Sequence, residues 1–100
     1  MSSVKLNFHR LAEKEYEEAI DYYAERSAKS AQRFREAVDA AARRIVNAPD
    51  SLPKSSGQNR WVRVQRFPYI LVFRPRDPEQ IVVVAVAHTS RRPGYWRRRT

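Results

Sequence analysis

Apolar and polar positions along the 100-residue chain change period several times, and each change marks an element. Residues 4–8, "VKLNF", alternate Val4, Leu6 and Phe8 with polar side chains, the period of a half-buried strand. From Arg10 to Arg26, Ala12, Tyr16, Ala19, Ile20 and Tyr23 recur on one helical face, while Glu13, Glu17, Glu18, Asp21 and Glu25 occupy the outer one. "SAKS" offers Ser27 and Ser30 as caps, and Ala31, Phe34, Val38, Ala41 and Ile45 then repeat at steps of three and four until "NAPD". So short a connection predicts an antiparallel helix hairpin whose apolar face needs a sheet.

Residues 48–59, "APDSLPKSSGQN", lack periodicity and read as a loop. Three strands follow. "RWVRVQRF" alternates Val62 and Val64 with polar residues, whereas "YILVF" and "IVVVAVA" are continuously apolar and predict burial on both faces. "RPRDPEQ" suits a hairpin turn, and Pro68 puts the preceding strand break at "FPY". The expected fold is α+β in the order β-α-α-β-β-β: an antiparallel helix hairpin on one face of a mostly antiparallel four-stranded sheet, with residues 1–100 as one domain. Strict alternation puts Val82, Val84, Val86 and His88 on one sheet face, and Ile81, Val83, Ala85 and Ala87 on the other. One face meets the helices. The other would be an apolar patch, so a partner protein is expected to cover it.

Charge sharpens this picture. The net charge of +9 lies entirely in residues 51–100, where eleven basic residues face two acidic ones, and ten of the eleven are arginine. Arginine grips phosphate or carboxylate through a planar fork and stacks on rings, so the bias points to an anionic partner. Arg60, Arg63, Arg66, Arg74 and Arg76 flank the strands, and Arg91, Arg92, Arg97, Arg98 and Arg99 follow them, interleaved with Trp61, Tyr69, Tyr95 and Trp96. That mixture suits RNA or an acidic protein segment equally.

His88, Tyr95 and Arg63 or Arg91 contain the base, acid and cation that RNA cleavage through a 2′-hydroxyl needs. The plainer alternative has His88 closing its strand, Tyr95 packing its ring and the arginines only binding. His9, at the first strand-to-helix junction, reads as a cap or surface residue. No metal site is expected from two distant histidines in a chain without cysteine, and two glycines supply no phosphate loop, so no cofactor is implied. Without an apolar leader or a run long enough to span a bilayer, the chain reads as cytoplasmic, with no membrane partner.

Together "EYEEAIDYYAERSAKSAQRFREAV", "VQRFPYILVFRP" and "VVAVAHTSRRPGYW" resemble the RelE/ParE superfamily of type II toxin–antitoxin toxins, on its ParE-like side. The resemblance implies a small basic toxin encoded beside an antitoxin, ParD-like or similar, whose C-terminal segment wraps it and through which alone it reaches operator DNA. ParE-like members are known as inhibitors of DNA gyrase, and RelE-like members as ribosome-dependent mRNA endonucleases. For a ParE-like toxin, Arg91, Arg92, Tyr95, Trp96, Arg97 and Arg98 are the expected target-binding residues. The expected antitoxin surface comprises Arg60, Arg63, Arg66, Arg74, Trp61, Val82, Val84 and Val86. The endonuclease alternative places His88, Arg63, Arg91 and Tyr95 in a catalytic site.

Overall fold

A computed structural model describes residues 4–99. Its elements are β1 (Lys5–Phe8), α1 (Arg10–Arg26), α2 (Ala28–Asn47), β2 (Arg60–Val64), β3 (Tyr69–Asp77) and β4 (Gln80–His88), with a short 3-10 turn at Pro49–Ser51. The strands lie in the order β1-β4-β3-β2; β1 runs parallel to β4, and the other two pairings are antiparallel. The expected element order and two-layer architecture hold.

Local chemistry explains the helix ends. His9 caps α1, its Nδ1 accepting from the Leu11 amide at 3.0 Å. Ser27 closes one helix and opens the next: its amide donates to the Tyr23 carbonyl, and its Oγ accepts from the Ser30 amide. One residue between the helices leaves them only an antiparallel path. Their inward stripe carries Ala12, Ala19, Ala31, Phe34, Val38, Ala41 and Ile45, all buried as the spacing predicts. This stripe packs on Val62, Val64, Leu71, Phe73, Ile81, Val83 and Val86 of the sheet.

Strand β4 is buried from Ile81 to Ala87, as continuous apolarity predicts, but its faces do not alternate strictly. Phe73 pairs with Val83 and Val72 with Ala85, so Val84 is an extra residue in the ladder. A bulge of one residue reverses the parity of everything after it. Val82, Val84, Ala85 and Ala87 consequently face away from the helices, while Val86 turns into the helix-side core with Ile81 and Val83. This corrects the expected grouping of Val82, Val84 and Val86 on one antitoxin-facing surface.

The second face is covered by the chain itself, not left for a partner. After β4 the chain folds back, and Trp96, only 5% exposed, packs with Val72, Val82, Val84, Ala85 and Ala87, flanked by Trp61, Ile70 and Tyr95. β3 also runs further than "YILVF". Pro75 is tolerated because β2 pairs with β3 only as far as Phe73, so no ladder partner there requires its missing N–H.

Candidate functional site

The returning segment is held by a carboxylate that faces the sheet from α1. Glu15 lies three residues after Ala12 and four before Ala19, so it falls on the buried stripe and not on the solvated acidic face. β1 ends opposite Val83, which leaves the upper half of β4 without a strand on that side. Side chains take over there: the Val86 amide donates to Glu15 Oε1 at 3.0 Å, and Arg99 Nη1 donates to the Val84 carbonyl at 2.9 Å. Arg99 also grips Glu15 with both terminal nitrogens, Nη1 to Oε1 at 2.8 Å and Nη2 to Oε2 at 3.0 Å. The Tyr95 hydroxyl donates to Oε2 at 2.6 Å, and Arg91 Nη1 reaches the same oxygen at 3.5 Å.

Tyr95 also carries two cations: the guanidinium carbon of Arg91 lies 4.0 Å from its ring centre and that of Arg99 5.0 Å. Its ring meets Trp96 edge-on at 5.0 Å. One acidic residue thus fixes Tyr95, Arg99 and, more loosely, Arg91. Burial alone would raise the Glu15 carboxyl, but the hydrogen bonds from Arg99, Tyr95 and the Val86 amide outweigh it and hold the group below the usual carboxylate range. Burial, then the hydrogen bond to Glu15, push the Tyr95 phenol far above its ordinary value, so it stays a donor at any physiological pH.

This arrangement sorts the expected target-binding residues. Arg91, Arg92, Arg97 and Arg98 are exposed on the anchored turns. Gly94, at φ +82°, makes the reversal between them, and Arg97 lies so close that a Cβ on Gly94 would come within 2.8 Å of its Nε. Trp96, expected at a target surface, is instead the buried anchor, because its large ring is what covers the valines. Tyr95 is half-buried with its hydroxyl committed to Glu15.

Of the expected antitoxin surface, Arg60 is occupied with its own loop, donating to the Leu52 carbonyl at 2.6 Å and to that of Asp50 at 3.3 Å. Arg63 is exposed on β2, paired with Ile70. Arg66 is exposed in the β2–β3 turn at φ 72°, a left-handed conformation unusual for a side chain of its size. Arg74 and Trp61 are half-buried, whereas Val82 and Val84 lie under the returning segment and Val86 faces the helices.

The residues of the endonuclease alternative have different neighbours: Arg91 stacks on Tyr95 at 4.0 Å and its amide donates to the His88 carbonyl at 3.0 Å, while the His88 ring turns elsewhere. His88 Nδ1 lies 3.0 Å from the Ser90 amide that donates to it and 2.7 Å from Ser90 Oγ, and its ring packs edge-on against Tyr69 at 5.1 Å. Tyr69 belongs to the helix-side core, while Tyr95 packs on the second face, so the bulge at Val84 separates His88 from Tyr95 across the sheet. Among the described residues no cluster of three His, Cys, Asp or Glu side chains could hold a metal ion. No helix among them is long and apolar enough to cross a membrane.

A helix hairpin on a mixed four-stranded sheet, closed by an arginine-rich return segment, defines a class of small basic two-layer proteins. The chain's fold is similar to a solved structure described as the chromosomal ParDE TA system from P. aeruginosa, with TM-score 0.66, 16% identity, and coverage of 86% of this chain and 96% of that one. A family model for the ParE toxin of the type II toxin–antitoxin system parDE matches residues 6–93, and the chain belongs to that family. It is therefore a type II toxin–antitoxin toxin of the ParE kind. No curated protein sequence matches the chain. The family match includes Glu15, Val86 and Arg91 but stops before Tyr95 and Arg99, which bond the same carboxylate, and before Trp96.

Proposed function

We propose that this toxin arrests growth by binding an essential target, with DNA gyrase the leading candidate, and that a cognate ParD-like antitoxin neutralises it in the cytoplasm. The observation that carries the reading is the anchored turn: four exposed guanidinium groups, Arg91, Arg92, Arg97 and Arg98, stand on a segment that Glu15 and Trp96 hold in place. Fixing a flexible basic segment before it meets its target lowers the entropy lost on binding. Family membership supports the antitoxin as partner. Trp61, Arg63, Arg66 and Arg74, outside the returning segment, are the residues proposed to meet it, and operator DNA is reached through the antitoxin alone.

The test is gyrase supercoiling with purified toxin. Inhibition near equimolar toxin, relieved by antitoxin and lost in an Arg91→Gln/Arg92→Gln/Arg97→Gln/Arg98→Gln variant that keeps its fold, supports the proposal. Unaffected gyrase together with mRNA cleavage in translating ribosomes, abolished by His88→Ala, would replace it with the endonuclease reading.

A further inference from the structure

Beyond the anchored turn, a second cationic feature lies where β1 gives way to α1. A cavity of about 360 Å³ is lined by Asn7, Phe8, His9, Arg10, Arg74, Arg76 and Val82. The sheet register builds its floor: Val82 pairs with Asn7 on one side and with Arg74 on the other. Arg76 joins them because the ladder shifts between Pro75 and Asp77, which leaves it without a partner on β4. Arg10 enters as the first residue of α1, and His9 caps that helix.

Three arginines therefore line one small concavity that no acidic residue lines. Among the described residues none of the three makes an ion pair; the ion pairs there are those of Glu15 with Arg91 and Arg99. Like charges gathered in a cleft focus a positive potential that an anion relieves. The Nδ1 of His9 is occupied by the Leu11 amide, so its Nε2 carries the proton and is a donor even when the ring is neutral. The Asn7 amide adds further donors. A carboxylate offers two oxygens and one charge to this set. A phosphate monoester offers three terminal oxygens and up to two charges, which match three forks.

We infer that this cavity is a binding site for a terminal phosphate group, carried by a free nucleotide or by the 5′ end of a nucleic acid strand. The site shares no residue with the Glu15-anchored turn and does not depend on the proposed target, although its Val82 floor adjoins the face that Trp96 covers and Arg74 is also proposed to meet the antitoxin. Its size lies within the range of small-ligand clefts.

The experiment compares binding of a fluorescent single-stranded 12-mer bearing either a 5′-phosphate or a 5′-hydroxyl, using the full-length toxin at low salt. The expected result is at least tenfold tighter binding of the phosphorylated strand. That preference should vanish in Arg74→Gln/Arg76→Gln and persist in Arg97→Gln/Arg98→Gln, which keeps the general charge reduction the same. Circular dichroism confirms that both variants fold. Competition by AMP but not adenosine identifies the free nucleotide as a sufficient source; a phosphorylated-strand preference that AMP does not displace identifies the strand end. Equal binding of the two strands, or a preference that survives Arg74→Gln/Arg76→Gln, overturns the inference. Because gyrase inhibition is read separately, failure here leaves the proposed function standing, and the reverse also holds.

Discussion

Glu15 and Arg99, 84 residues apart in sequence, meet in a two-pronged ion pair at 2.8 and 3.0 Å, and each also bonds the backbone of β4 where β1 no longer reaches. The pair does the work of a missing strand end. Its side chains are only 11% and 13% exposed, so solvent screens it far less than an open surface pair. Removing one partner leaves the other charge largely buried and unmatched.

Glu15→Ala is therefore expected to destabilise the toxin by about 2–3 kcal/mol, more than Glu13→Ala or Glu17→Ala on the solvated face, as measured by urea unfolding. The pH dependence follows from the lowered carboxyl. Its contribution is complete above the unfolded-chain value of about 4.3 and is lost as pH falls through the lower folded value. Stability of the wild type should fall more steeply in acid than that of Glu15→Gln, and the difference between them should shrink below about pH 4. An acid limb unchanged by Glu15→Gln would contradict the ion-pair account.

Tyr95 supplies the alkaline counterpart. Its phenol is raised by burial and by Glu15, so its contribution is complete below the unfolded value of about 10 and is lost as pH rises toward the folded value. Ultraviolet titration of the wild type should show a tyrosine that ionises only with alkaline unfolding. Tyr95→Phe should reduce the late-ionising component, the remainder belonging to Tyr16, Tyr23 and Tyr69, whose phenols burial also raises.

Trp96 closes the second face, and Trp96→Ala should cost about 3 kcal/mol or more. The variant should also bind a hydrophobic dye, because Val72, Val82, Val84 and Ala87 lose their cover. Arg97→Gln and Arg98→Gln, at exposed positions, should change stability by less than about 0.5 kcal/mol while weakening target inhibition.

Two left-handed residues should respond in opposite directions. Arg66→Gly relieves its positive φ and is expected to stabilise the fold by about 0.5–1 kcal/mol, read from thermal unfolding, while removing a cation from the proposed antitoxin surface. Gly94→Ala acquires that same strain, while the exposed Arg97 head group swings aside, so it should destabilise by about 1 kcal/mol.

The helices, a short junction within "SAKS" and the burial of β4 were legible in the sequence because each follows from spacing along a short stretch; that Ser27 alone separates the helices came from the structure. The cap at His9 was one of two roles its place at the strand-to-helix junction allowed. A three-or-four-residue apolar step needs no knowledge of distant partners to declare a helix face. Glu15 was legible only in part: its position on the stripe between Ala12 and Ala19 marks a carboxylate facing inward, but it sits among other acidic residues of a helix whose outer face is genuinely solvated.

Tertiary structure decided the rest. A single extra residue at Val84 exchanged the faces of everything beyond it, sending Val86 to the helices and parting His88 from Tyr95. Strand alternation has period two, so one unpaired residue changes every later assignment without altering composition. Likewise, "RRPGYW" carries the same arginines and rings whether it faces a target or folds home. What divides Trp96 and Arg99, which are structural, from Arg92, Arg97 and Arg98, which face solvent, is contact with valines and a glutamate more than ten residues away along the chain. Burial of an aromatic ring and pairing of a buried charge are long-range gains that local pattern does not encode.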